Sequence, residues 1–302
     1  MSGSVPCWGV IDAIPSVKAG NPPHRVIEAA VESQRALRLE RMVVALDCHT
    51  SDNWRTKATT WNTDRDLESA SRSSVGRSAW EMLSDLARAA GLEVLEARRC
   101  SGIDVAGSLI SLRPDLRFAL WSLRTGAKSL LEKGRVSIAS YLPTGDVVWL
   151  TADQHEEASG LKVGQWLDYL ALKGGKGLLG VTGCGDKTAK ELLAKFGTWE
   201  GILAAVDAMP AKLATAVRLA EPRFAMERLA WGAKLDCLVA DHAWRCQMSG
   251  DGEERRLECR CVLHEQQPLF YSLLPGTEAD RTVRWVSDII RRDGYFDPLR
   301  HN

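Results

Sequence analysis

Apolar residues along the chain fall into two regimes. In the first half they come as short blocks separated by helical stretches. CWGVID (7–12) and MVVALDC (42–48) are compact apolar runs, each reaching an aspartate, Asp12 and Asp47. Runs of this length bounded by polar residues predict buried strands. Between them Val26, Ile27, Ala30, Val31, Gln34 and Leu37 recur at helical spacing. Strand, helix, strand predicts a parallel α/β sheet. The pattern continues with a helix over 78–91, a strand over 92–97, a helix over 105–112, a strand over 118–123 and a β-like piece over 145–152. From about 161 the period turns helical throughout: KVGQWLDYLALKG, then KTAKELLAKFG, then TWEGILAAV. Past 247 the polar stretch SGDGEERR reads as a linker or hairpin tip, LECRCVL as a strand, and TEADRTVRWVSDIIRRDG as an amphipathic helix opened by a Thr277–Asp280 capping pattern.

Composition changes this picture little. The chain has 302 residues, with 39 basic and 39 acidic side chains. A polyanionic partner must therefore be held by local patches rather than by net charge. No apolar run is long enough to span a membrane, and the first residues lack the basic start and long apolar core of a secretory signal. The expectation is a cytoplasmic protein with no membrane partner, whose eight cysteines are thiols or metal ligands.

Two segments carry candidate chemistry. Residues 49–78 form a long polar connection with Trp54, Arg55, Lys57, Trp61 and Arg65, a mixture of bases and aromatics that suits single-stranded nucleic acid as well as it suits a solvated loop. GVTGCGDKTAKELLAKFG (180–197) sets a tight glycine turn against a helix start. Glycines let the backbone approach a ligand closely, and a helix N-terminus offers unpaired N–H groups to an anion. Residues 162–195 hold six lysines against three acids, so the expected anion is a nucleic-acid phosphate, contacted without base reading. The alternative is a corner glycine with a packing role only.

The segment DYLALKGGKGLLGVTGCGDKTAKELLAKFGTWEGIL (168–203) resembles the helix–three-turn–helix of the flap endonuclease and 5′→3′ exonuclease family, which includes the 5′-nuclease domain of DNA polymerase I. The matching positions are Asp168, Tyr169, Ala171, Leu172, Gly174, Gly180, Val181, Gly183, Gly185, Lys187, Thr188, Ala189, Leu192, Leu193, Phe196 and Gly197. Asp12 and Asp47 fall on the family's first two strand-end aspartates. GLEVLEARRCSGIDVAGSL and LRTGAKSLL follow in family order, so the likeness covers about residues 7–246.

The resemblance implies a PIN-like α/β fold: a mostly parallel sheet flanked by helices over 1–160, a helix–three-turn–helix DNA-binding subdomain over 161–246, and a C-terminal extension over 247–302. It implies DNA as the partner, as branched or 5′-ended duplex/single-strand junctions, with a replication or repair protein as a further partner. The DNA-contacting residues it implies are Gly180, Thr182, Gly183, Gly185, Lys187, Thr188, Lys190, Lys173, Lys176, Arg55 and Arg65. It also implies Mg²⁺ or Mn²⁺ where activity is retained, and a monovalent cation at the glycine turn.

The sequence departs from the family at its acids. The family's E-A-D-D stands here as Ser101-Gly102-Ile103-Asp104, its D-K-D as Ala127-Lys128-Ser129, and the acids before the glycine turn as Gly175-Lys176-Gly177. Asp12, Asp47, Asp104 and Arg55 remain as the remnant of a site. Two-ion hydrolysis needs several carboxylates around ions roughly 4 Å apart. Three carboxylates are expected to hold one Mg²⁺ weakly, and acids at Ser101, Ile103, Ala127 and Ser129 to complete the cage. Residues 111–135 carry six bases, Arg124 among them, against Asp115 and Glu132. The expectation is a family member that binds DNA with hydrolysis lost or strongly impaired. An active exonuclease with a rebuilt site and a non-catalytic interaction subunit are the alternatives. Near the end, Cys246, Cys259, Cys261 and His264 could furnish a structural zinc site, but their spacing fits no familiar zinc motif and buried free thiols are the commoner explanation.

Overall fold

The computed structural model describes residues 7–18, 20–48, 54, 77–141, 147–175 and 177–238. Arg55, Arg65, Lys176, the proposed zinc residues and the whole C-terminal extension lie outside the described residues.

Five parallel strands and one antiparallel strand form a single sheet in the order β3-β2-β1-β4-β5-β6. They are β1 (Cys7–Asp12), β2 (Arg41–Leu46), β3 (Glu93–Glu96), β4 (Arg117–Trp121), β5 (Val136–Tyr141) and β6 (Val147–Leu150). The two central runs are buried along almost their whole length because helices cover both faces, as parallel sheets require. One face carries α1 (Ala13–Lys18), α2 (Pro23–Ala36) and α3 (Arg77–Ala89). Proline in the first turn of α2 suits a helix start, and Val26, Ile27, Ala30 and Val31 turn one stripe to the sheet. The other face carries α4 (Gly102–Leu112), whose first nine residues are all buried. The expected PIN-like, mostly parallel sheet is present.

The chain fills β1, β2 and β3 outward in one direction, then crosses back to place β4 on the other side of β1. Strand order therefore reverses between β1 and β4, and the crevice at their carboxyl ends is where such sheets bind ligands. Asp12 closes β1, and Arg124 follows three residues after β4.

The helical half contains α5 (Ala152–Ser159), α6 (Trp166–Lys173), α7 (Asp186–Phe196), α8 (Trp199–Ala204) and α9 (Ala211–Trp231). It has its own apolar core, from Leu161 to Phe224, which includes a close stack of Trp199 on Phe224. Ala152 of α5 still belongs to the core around α4, and Leu161 is the first residue of the second core. The segment after α9 then returns to the sheet half: Ala233, Cys237 and Leu238 pack into the core around α4. No described helix is long and apolar enough to cross a membrane.

Besides the short α1, three elements have no counterpart in the hydrophobic pattern. β5 interleaves serine with apolar residues in a short run. α5 is polar, but it is delimited by the Thr151–Gln154 capping box and by Gly160 at φ 71°. The helix α9 has an internal Pro222 and apolar residues on all sides, so no stripe marks it.

Candidate nucleic-acid interface and remnant acid site

The sheet-end crevice is built from the tips of β1, β2 and β4 and the start of α4. Asp12 is wholly buried, and its Oδ2 accepts hydrogen bonds from Ser122 Oγ at 2.8 Å and from Arg124 Nε at 2.9 Å. Asp47 receives Arg124 Nη2 on both oxygens, at 2.8 and 3.0 Å, and the Gly102 amide on Oδ1 at 2.7 Å. One guanidinium therefore bridges the two carboxylates along a single edge. Burial pushes the Asp12 carboxyl above its ordinary range, with Asp47 adding to the rise, while Arg124 pulls the other way. Burial also opposes the charge on Arg124, but the two carboxylates outweigh it and hold that side chain more firmly protonated.

Asp104, the third acid, sits in the first turn of α4 and does other work. Its Oδ2 accepts from the Ser101 amide at 2.9 Å, Ser101 Oγ at 2.7 Å and Trp54 Nε1 at 3.0 Å, and its Oδ1 accepts from the Lys234 amide at 2.7 Å. The Ser101 contacts cap the helix. The other two tie α4 to Trp54 and to the segment beyond α9.

A hard divalent ion needs several oxygens with lone pairs to spare. Here a guanidinium spans Asp12 and Asp47, and Asp104 accepts four donors. Asp12 Oδ1 is the one oxygen of the three side chains without a hydrogen-bond partner, and it is fully buried. Among the described residues no group of three or more His, Cys, Asp or Glu could hold a metal ion. The residues present do not fit a two-ion centre. Of the positions expected to complete a cage, Ile103 and Ala127 are core residues at 1% exposure. Ser129 Oγ is bonded to the Gly126 carbonyl.

The glycine turn lies between α6 and α7. Gly174 and Gly180 adopt φ of 71° and 64°, and they touch backbone to backbone. A Cβ on Gly180 would stand 2.6 Å from the Gly174 nitrogen, and one on Gly174 2.8 Å from the Gly180 nitrogen. Only glycine fits either position. From α9, Glu227 Oε2 accepts the Gly180 amide at 2.9 Å, Arg223 donates to the Gly180 carbonyl, and the two side chains pair with each other at 2.8 Å. Gly180 is buried and both its backbone groups are bonded to protein, so it shapes the turn and offers no amide to DNA, a correction to its place among the expected contacts.

Thr182, Gly183, Gly185 and Lys187 are exposed, whereas Thr188 and Lys190 are half-buried. Gly183 has φ 78° and open space where a Cβ would sit. The first-turn amides of α7 have no intrahelical acceptor, which makes this end attractive to phosphate. The lysines are arranged by Asp186, the first residue of α7. Lys173 lies 3.7 Å and Lys190 3.5 Å from it, and the Tyr169 hydroxyl donates to it. Lys187 is 88% exposed and has only a loose pairing with Glu191 at 3.8 Å. Cys184 packs beneath the turn, where burial pushes its thiol up to about 11. It is a packing residue, and none of the five described cysteines is in a disulfide.

Sequence reasoning placed Asp12 and Asp47 together and the lysines on one turn. It missed Arg124, Glu227, Arg223 and the use of Lys234. The dense run of bases over 111–135, set against lost acids, was the available signal for Arg124.

No protein-family model matches the chain. The flap endonuclease Xni of Shewanella sediminis is 41% identical over 68 residues, covering 22% of this chain and 27% of that protein. The thermostable DNA polymerase I of Thermus filiformis is 31% identical over 119 residues, 39% of this chain and 14% of the polymerase. The chain thus spans 27% or less of the length of these curated relatives. Among solved structures, the bacteriophage T5 D15 flap endonuclease, in a pseudo-enzyme–product complex with DNA and metal ions, superposes with a TM-score of 0.59 at 13% identity. The match covers 94% of this chain and 99% of that one, a likeness of fold.

Proposed function

We propose that this chain, related in sequence and in fold to the flap endonuclease and 5′→3′ exonuclease family, binds branched or 5′-ended DNA and does not cut it. The observation that carries this reading is the fate of the three remaining acids. Asp12 and Asp47 are bridged by Arg124, and Asp104 is saturated by donors from three separate segments. Carboxylates in such use are not ligands for the ions that activate water and stabilise a leaving oxygen. Meanwhile the glycine turn, its αL glycines and its exposed helix start keep the form of a backbone-phosphate clamp, supported by Lys187 and the Lys173–Asp186–Lys190 group. Contacts of this kind position a protein on DNA without reading bases. A protein of this sort acts at replication or repair intermediates, where such junctions arise.

The test is a labelled 5′-flap substrate incubated with the protein in Mg²⁺, in Mn²⁺ and in chelator, followed for both cutting and binding. The expected result is equal binding in all three and no cleavage above background. Mg²⁺-dependent degradation of the 5′ end that disappears in Asp12→Ala would overturn the reading in favour of an active nuclease.

A further inference from the structure

The crevice at the strand-order reversal poses an electrostatic problem. Two carboxylates converge there, one of them wholly buried, and a buried unpaired carboxylate is costly. We propose that Arg124 is a built-in cation that stands where a divalent ion would otherwise have to balance Asp12 and Asp47, so that removing its side chain opens a site for such an ion.

The geometry is specific. Arg124 uses its Nε–Nη2 edge, one nitrogen for each carboxylate, with Nη2 reaching both Asp47 oxygens. Side-on pairing of this kind is what a guanidinium does and a lysine ammonium cannot reproduce. The backbone holds it in register: the Arg124 amide donates to Ser122 Oγ at 3.2 Å, and the same hydroxyl donates to Asp12. Arg124 also opens the 3₁₀ turn Thr125–Leu130, whose Ala127 amide returns to the Arg124 carbonyl at 3.0 Å. The side chain thus rises from a fixed corner immediately after β4.

A second observation points to a missing ligand rather than to a closed ion pair. Asp12 Oδ1 is buried and unpartnered, and it lies beside Gly102, where an added Cβ would come within 2.6 Å of it. The Gly102 amide binds Asp47 Oδ1, so Gly102 adjoins both carboxylates. The bonds that Arg124 makes to the pair go to Asp12 Oδ2 and to the two Asp47 oxygens, and none reaches this one. A small cation coordinated by water and carboxylates would. One oxygen of the pair is therefore left unmet by Arg124 in this arrangement.

This inference deepens the non-cutting reading and rests on it only in explaining why no ion is required; the two fail separately. The probe is Mn²⁺ alone, without DNA, applied to the full chain, with thermal melting in chelator and in millimolar Mn²⁺ and with titration calorimetry of Mn²⁺ uptake. Wild type is expected to melt at the same temperature in both conditions and to take up no ion at this site. Arg124→Ala is expected to melt several degrees lower in chelator, to bind about one Mn²⁺ per chain and to regain stability with it by mass action. Arg124→Ala with Asp47→Asn is expected to lose that response, and Arg124→Lys, which keeps the positive charge, to show little of it. The proposal is overturned if wild type takes up Mn²⁺ as Arg124→Ala does. It is equally overturned if Arg124→Ala is not stabilised by Mn²⁺, including the case in which it stays unfolded in both conditions. Flap-DNA binding by wild type is read separately. Its loss would remove the functional reading and leave the Mn²⁺ result standing.

Discussion

A Cβ placed on Gly126 would lie 1.6 Å from the carbonyl oxygen of Trp231. The end of the long helix α9 therefore rests directly on the turn that follows Arg124. No side-chain adjustment relieves a clash between backbones. Gly126→Ala is expected to destabilise by about 3 kcal/mol, the upper range for overpacking. Gly164→Ala, which has open space around the new methyl group, serves as the neutral control. Equal melting temperatures for the two variants would contradict the packing described.

Asp104→Ala leaves the Lys234 and Ser101 amides and the Trp54 indole without their acceptor. Hydrogen bonds to a charged group stabilise by roughly 1.5–3 kcal/mol, so a loss of at least about 2 kcal/mol is expected in denaturant melts. The loss should be the same in Mg²⁺ and in chelator. A cost that appears only with Mg²⁺ present would show that Asp104 serves as an ion ligand instead.

The double variant Lys187→Ala, Lys190→Ala is expected to weaken binding equally for all DNA sequences and to flatten the dependence of log affinity on log salt. Each phosphate contact removed lowers the slope by about 0.9. Fluorescence anisotropy across a salt series checks this, and an unaltered slope would place both lysines off the DNA. Lys190 shares Asp186 with Lys173 and Lys187 does not, so the single Lys187→Ala change should account for most of the effect.

The Asp186 carboxyl is held below the usual carboxylate range, first by the Tyr169 hydroxyl and then by Lys190 and Lys173. A depressed folded-state pKa means that its contribution to stability is complete above the ordinary carboxylate pKa and is lost as pH falls through the depressed value. Tyr169→Phe removes the first cause and should move the Asp186 titration upward, measurable by carboxyl carbon NMR. Identical titration curves would mean that the hydroxyl does not hold this carboxylate.

Much of this was readable from spacing. The strand-ending aspartates, the helix between them and the glycine turn are local patterns, and local patterns survive in a linear sequence. Arg124 was visible only as one base among six, because its meaning depends on strand order: β4 lies beside β1, which brings a residue 112 positions away onto Asp12. Glu227 presented the same difficulty. It sits in a helix without an apolar stripe, and only the fold sets it against Gly180. Ile103, which family order suggested as a lost acid position, proves to be core, so an aspartate there would face burial before it could meet an ion.

The bonds from the Lys234 amide to Asp104 and from the Leu238 amide to Ser108 each span 130 residues. Their consequence is one of timing. A chain made from its N-terminus cannot finish α4 when α4 leaves the ribosome, since the residues that close over it, Ala233 to Leu238, are made more than a hundred residues later. The ends of so long a loop meet late, because closure entropy is spent before the contacts return it. A nascent chain stopped before residue 231 lacks the residues that cover this flank of α4 and leaves it open to whatever it meets.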